Sequence, residues 1–229
     1  MNPHTMVIDE GLGANAYNDL LQHSNHFTAI KLGYGTSLLT DKTLLEHKLT
    51  STPPETLLYP GGTLYEYYMK HHTIEDYIKY VTDYGFKTVE VSNGCNTNSS
   101  ADKKISIEYL KFYDFTVISE VGSKLGDINL KETREEIKTD LKNGADYIIL
   151  EGRASGTAGI YNKDGDLTSI GNRLIESTPR GKLIVEAPLK KQQVHLMKRF
   201  GSDIGVGNIK PCDVLSVACL RRGLRGDTL

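Results

Sequence analysis

The chain is poor in the features that announce most specialised classes. Its three cysteines, Cys95, Cys212 and Cys219, are an odd number, and no C-x-x-C occurs. A disulfide framework and a thiolate zinc site are therefore excluded, and a reduced, cytoplasmic setting is expected. No run of about 18 apolar residues exists, so no membrane-spanning helix is expected. The first residues, "MNPHTMVIDEGLG", lack the charged-then-apolar pattern of a signal peptide. The 27 basic residues are balanced by 29 acidic ones and form no arm or stripe, so no nucleic-acid partner is expected. Seven histidines are scattered; neither His23 with His26 nor His71 with His72 has the further ligands of a zinc pair.

What is present is a repeating unit. Hydrophobic residues make up 38% of 229 residues and charged residues 24%, which suits one sizeable core. Short apolar runs fall at 6–8, 27–32, 56–59, 88–92, 115–121, 147–151, 183–186 and 203–206. Between them lie stretches of helical periodicity. In "IEDYIKYVTDYG" Ile74, Tyr77, Ile78 and Val81 share one face and Gly85 is the stop; Gly144 and Gly201 end two further helices, and Pro211 opens the last. Strands alternating with helices imply parallel pairing through right-handed crossovers. Eight units with no linker or composition break predict an α/β fold, a single-domain (β/α)8 TIM barrel over 1–229. An open doubly wound sheet is the rival, but "GLGANA" after the first strand lacks the third glycine of a dinucleotide fingerprint.

A barrel of this kind builds its active site at the carboxyl ends of its strands. Those ends read Asp9, Lys31, Tyr59, Glu90, Glu120, Glu151, Glu186 and Asn208. Buried charges at so many strand ends make sense where acids hold a cation and bases hold an anion. Rim salt bridges, such as Lys31 with Glu120, are the competing explanation. Glu120, Glu151 and Glu186 come from consecutive strands and are oxygen ligands suited to Mg2+. The loops "KLGYGTS" and "YPGGT" supply Gly33, Gly35, Thr36, Ser37, Gly61, Gly62 and Thr63, whose N–H and hydroxyl groups suit an anion such as phosphate. Asn208 lies where many barrels bind phosphate. Arg153 offers a planar fork for a carboxylate or phosphate. The stretch "EGRASGTAGIY" has three glycines and little side-chain bulk, as expected of a loop that closes over a small charged ligand.

In order along the chain, "IKLGYGTSLL", "YPGGTLYE", "VEVSNG", "SEVGSK", "EGRASGTAGIY", "EAPLKKQQ", "GNI" and "LRRGLRGDTL" resemble the motifs of the phosphosulfolactate synthase family. The resemblance covers essentially the whole chain. It implies a Mg2+-dependent addition of sulfite to phosphoenolpyruvate giving (2R)-phosphosulfolactate, a step toward coenzyme M or sulfolactate. Its small anionic substrates would be held by the basic groups above, with Lys124 as general acid and Lys31 as the alternative or as a counter-charge. A homo-oligomer is expected, with Arg221, Arg222 and Arg225 in subunit contacts or surface salt bridges. Two other functions share the same residues: a Schiff-base aldolase using Lys31, and a non-catalytic phosphate-ligand-binding barrel with a stress-related role.

Overall fold

The computed structural model describes residues 4–94, 100–122 and 128–229. Eight strands alternate with helices: β1 (Thr5–Asp9), α1 (Ala14–Leu21), β2 (Ala29–Leu32), α2 (Thr36–Leu39), α3 (Lys42–Ser51), β3 (Leu57–Pro60), α4 (Gly62–His71), α5 (Ile74–Tyr84), β4 (Thr88–Val91), α6 (Ser100–Phe112), β5 (Thr116–Val121), α7 (Leu130–Lys142), β6 (Tyr147–Leu150), α8 (Ser169–Ser177), β7 (Leu183–Glu186), α9 (Lys190–Phe200), β8 (Val206–Ile209) and α10 (Val214–Arg221). Helix boundaries follow local chemistry. Thr73 and Asp76 form a capping box at the start of α5, and Gly85 ends it in the left-handed region at φ 83°. The Asn129 side chain accepts from two N–H groups at the start of α7.

All strand pairs are parallel, in the order β3-β2-β1-β8-β7-β6-β5-β4. The chain's first strand pairs with both β2 and β8, which brings the two ends of the sheet around toward each other. β3 and β4 lie side by side at the seam, without a ladder among the described residues. This is the expected single-domain (β/α)8 TIM barrel.

The eighth strand departs from expectation: it is Val206–Ile209 and not 203–206. Its sequence, VGNI, has low strand propensity, so the apolar reading slid toward Ile204. Gly207 leaves room there for side chains of the two flanking strands, since a Cβ would lie 2.6 Å from the Met6 methyl and 2.9 Å from Ile184.

Strand alternation divides the interior into tiers. Met6, Ala29, Ile118, Ile149 and Ile184 form an apolar plug within the barrel. The outer strand faces carry residues such as Val7, Ile30, Val89, Val117, Ile148 and Val185, which pack under the helices as the main core. Two residues beyond the plug, on the same face, come Ile8, Lys31, Glu120, Glu151 and Glu186. The plug supports these charged groups from below and keeps water out. Among the described residues, no helix is long and apolar enough to cross a membrane.

Candidate active site

The charged tier opens into a cavity of about 390 Å³ lined by Lys31, Thr63, Glu120, Glu151, Arg153, Glu186 and Asn208, together with Ile8, Tyr34, Ala154 and Ser155. Seven of the residues singled out from the sequence thus meet at one mouth. Lys124 lies outside the described residues. At the bottom of the cavity, Lys31 Nζ stands 3.0 Å from Glu90 Oε1, 3.1 Å from Glu120 Oε2 and 3.4 Å from Glu186 Oε1. One ammonium from β2 is thereby shared among acids from β4, β5 and β7. Burial alone would push the Lys31 ammonium pKa down, but the three carboxylates outweigh it and hold it well above its ordinary value. Burial raises the Glu90 carboxyl to about 8; Lys31 opposes that shift and Glu120 adds to it.

Further donors hold these acids. Gly62 N–H donates to Glu90 Oε1 at 2.7 Å, and Gly152 N–H donates to Glu186 Oε2 at 2.9 Å. The Ser92 hydroxyl lies 2.7 Å from Glu120 Oε1 and 2.5 Å from Glu66 Oε1, so α4 reaches the cluster through the unladdered seam. Arg153 N–H donates to Glu151 Oε1 at 2.5 Å, while the Arg153 side chain is exposed at the mouth.

Local backbone strain collects at this rim. Among the described residues four non-glycine residues have positive φ, and three of them line the cavity: Tyr34 (55°), Arg153 (59°) and Asn208 (53°). Such conformations cost free energy and cluster where a side chain must be aimed. Buried Asn208 leaves its Oδ1 without a hydrogen-bond partner among the described residues, as does the Tyr59 hydroxyl. Unpaired buried polar atoms beside a cavity are the kind a ligand or water satisfies.

The glycine loops are arranged differently from the expectation. Gly33, Gly35, Thr36, Ser37, Gly61 and Gly62 do not line the cavity drawn by the described residues. Gly33 N–H donates to the Asp9 carbonyl, Gly61 N–H to the Leu32 carbonyl and Gly62 N–H to Glu90, so these donors already bond to protein. The Thr36 hydroxyl donates to the Gly33 carbonyl, and Ser37 is buried. Gly62 is glycine because Ser92 and Glu90 press against it: a Cβ would stand 2.5 Å from Ser92 Cβ. Of the two loops, Tyr34 and Thr63 reach the cavity.

The loop after β6 is packed rather than loose. A Cβ on Gly152 would meet the Tyr161 ring at 2.8 Å, one on Gly156 would meet Gln192 at 2.7 Å, and one on Gly159 would sit 2.1 Å from the Glu151 carbonyl oxygen. Gln192 donates to the Gly156 and Gly165 carbonyls, and the Tyr161 hydroxyl donates to the Glu186 carbonyl. The glycines therefore allow close backbone contact with β7 and α9.

Other strand-end and tail charges have separate duties. Asp9 binds Lys48 Nζ at 2.6 Å and accepts from Gly11 and Leu12 N–H, all away from the cavity. Arg221 donates to the carbonyls of His4, Ser202 and Ile204, clamping α10 to the barrel floor, and Arg225 pairs with Asp227. Sequence reasoning left Glu66 unnoticed. Its signal was a carboxylate set among Tyr65, Tyr67 and Tyr68, on a helix whose buried face includes Leu64 and Tyr65.

Chemically, carboxylate-rich surroundings that include the Lys31 ammonium and the exposed Arg153 guanidinium suit a hard cation together with an anionic ligand. Among the described residues no trio of His, Cys, Asp or Glu forms a ready-made metal centre. Mg2+ commonly uses one or two carboxylates plus water and ligand oxygens, and Glu120, Glu151 and Glu186 can supply that number.

Three comparisons place this geometry among known proteins. The family model described as (2R)-phospho-3-sulfolactate synthase (ComA) matches residues 2–227. The phosphosulfolactate synthase of Methanocaldococcus jannaschii is 35% identical over 98% of this chain and 92% of its own length. That of Bacillus subtilis is 34% identical over 98% of this chain and 91% of its own. Among solved structures, KGPDC from Streptococcus mutans superposes with a TM-score of 0.59 at 14% identity, covering 100% of this chain and 98% of that one, a likeness of fold.

Proposed function

Because the chain belongs to the (2R)-phospho-3-sulfolactate synthase family, we propose that it adds sulfite to phosphoenolpyruvate, with Mg2+ as cofactor. The observation that carries the proposal is the convergence of Lys31, Glu120, Glu151, Glu186 and Arg153 on one cavity above an apolar plug. The sulfur lone pair attacks C3 of phosphoenolpyruvate and forms the C–S bond. The π electrons move toward C2 and the carboxylate, C2 takes up a proton, and the phosphate ester stays intact. Two anions must meet for this to happen, so the site has to offset their mutual repulsion. Arg153, exposed at the mouth, is placed to receive one of them through a two-pronged charge-assisted contact. Lys31 supplies a positive charge within the cavity. Held protonated by three carboxylates, it is a counter-charge rather than a nucleophile, which weighs against the Schiff-base aldolase.

A divalent cation would be held by Glu120 and Glu186, with Glu151 beside them, and when bound it would neutralise negative charge developing on the substrate carboxylate. The residues themselves orient the substrate. Glu151 is fixed by the Arg153 N–H and Glu186 by the Gly152 N–H, so neither acid has to reorganise during the reaction. The plug of Met6, Ile118, Ile149 and Ile184 keeps water from below. The proton destined for C2 is assigned to Lys124 by resemblance alone.

The test is direct. The protein is mixed with phosphoenolpyruvate, sulfite and Mg2+, and phosphorus NMR follows the appearance of a new phosphate ester carrying a sulfonate. A product that forms and is abolished by chelator supports the reading. Unchanged phosphoenolpyruvate with well-folded protein refutes it.

A further inference from the structure

The point on which three of the site's acids converge is taken by the protein itself. Glu90 and Glu186 are each oriented by a backbone donor other than Lys31, the Gly62 N–H and the Gly152 N–H, and Glu120 Oε1 lies 2.7 Å from the Ser92 hydroxyl, which it shares with Glu66. Their oxygens are therefore set in place independently of the lysine. Lys31 is the member on a long flexible stem, and its side chain also borders the cavity, which gives it somewhere to go. Its ammonium stands 3.1 Å from Glu120 Oε2 and 3.4 Å from Glu186 Oε1. A Mg2+ ion coordinates oxygen at about 2.0–2.1 Å. An ion on either oxygen would lie within about 5.5 Å of the ammonium at its present position, with like charge and behind little water.

We propose that Lys31 is the resident cation of this carboxylate cluster, and that a divalent ion takes Glu120 and Glu186 by displacing the ammonium upward into the cavity, where it meets the anionic substrate. The cluster then never stands uncompensated: the lysine neutralises it before the metal arrives, and its displacement couples metal binding to the appearance of a substrate-facing positive charge. This rests on the divalent-cation part of the reading above and on none of its substrate chemistry.

The experiment needs neither phosphoenolpyruvate nor sulfite. Mn2+ binding is titrated by electron paramagnetic resonance on the wild type, Lys31→Met and Arg153→Gln. Freed of its competitor, Lys31→Met binds Mn2+ at least about tenfold more tightly than wild type, as expected for a neighbouring unit charge removed from a semi-buried site. The exposed Arg153 is screened by solvent, so Arg153→Gln changes binding by less than about threefold. Equal or weaker binding by Lys31→Met, or a matching gain in Arg153→Gln, overturns the proposal. A second measurement uses the wild type alone: acetylation of lysines by a small reagent, read by mass spectrometry with and without Mg2+. Lys31 labelling rises on adding Mg2+ while Lys48 and Lys103, buried in ion pairs elsewhere, stay constant. Lys31 labelling that is unchanged at saturating Mg2+ also overturns it. Tight Mn2+ binding with Lys31 displaced but no sulfite addition would sink the proposed reaction and leave this inference standing.

Discussion

Asp9 ends its strand on a carboxylate just as Glu120 and Glu186 do, yet its part in the molecule is different, and replacing it separates the two roles. The Asp9 side chain is fully buried, its Oδ2 lies 2.6 Å from Lys48 Nζ, and its Oδ1 accepts from Gly11 N–H at 2.8 Å and Leu12 N–H at 2.7 Å. Lys48 is itself 1% exposed, against the Tyr17 ring. Asp9→Ala strands that ammonium in an apolar setting, a loss of about 3–5 kcal/mol for a broken buried pair. The two N–H groups belong to an exposed turn and can turn to water, so they add little. In a chain of this length each kcal/mol shifts the melting temperature by roughly 2–4 °C, so thermal unfolding followed by circular dichroism should show a fall of roughly 6–20 °C. The double variant Asp9→Ala/Lys48→Met, which leaves neither charge behind, should regain most of that loss. A melting temperature lowered by less than roughly 2 °C, or a double variant no better than the single, would refute the reasoning. So would a stable Asp9→Ala protein that had lost all turnover, because Asp9 would then belong to the site.

Three more outcomes follow from the same geometry. Arg153→Ala should lower kcat/KM by about 10–100-fold through loss of a charge-assisted contact, with the melting temperature within about 2 °C of wild type because the side chain is exposed; steady-state kinetics and a melting curve check both halves. Gly159→Ala forces a Cβ to 2.1 Å from the Glu151 carbonyl at φ 62° and should cost roughly 2–4 kcal/mol by denaturant titration, while Gly181→Ala, with nothing within 4 Å, should be nearly neutral. The Glu90 carboxyl is raised from 4.5 to about 8, so its neutral form favours the fold; its contribution is complete below 4.5 and is lost as pH rises toward 8, and Glu90→Gln should flatten that decline in stability measured across this window.

Much of the fold was legible because it rests on local periodicity. Apolar runs of strand length alternating with amphipathic stretches, closed by Gly85, Gly144 and Gly201, are enough to specify strand–helix units. Eight such units specify a barrel. The exception, β8, carries glycine where Met6 and Ile184 already fill the lumen, and no local rule reveals a neighbour's bulk. The charged strand ends were legible for a related reason, since a polar residue closing an apolar run marks the barrel's mouth.

Local pattern alone carried the architecture, the family and the roster of charges at one end of the strands. Which charges meet was decided by the tertiary structure. Asp9 follows the lumen-facing Ile8 by one residue, so alternation turns it outward to Lys48 on α3. Lys31, Glu120 and Glu186 stand two residues beyond the plug residues Ala29, Ile118 and Ile184, so alternation turns them inward to one another. Whether a position faces in or out depends on how each strand registers with its neighbours. That register is settled when the whole sheet curls and its inner faces must fill a single lumen, a condition that no segment of the chain carries alone.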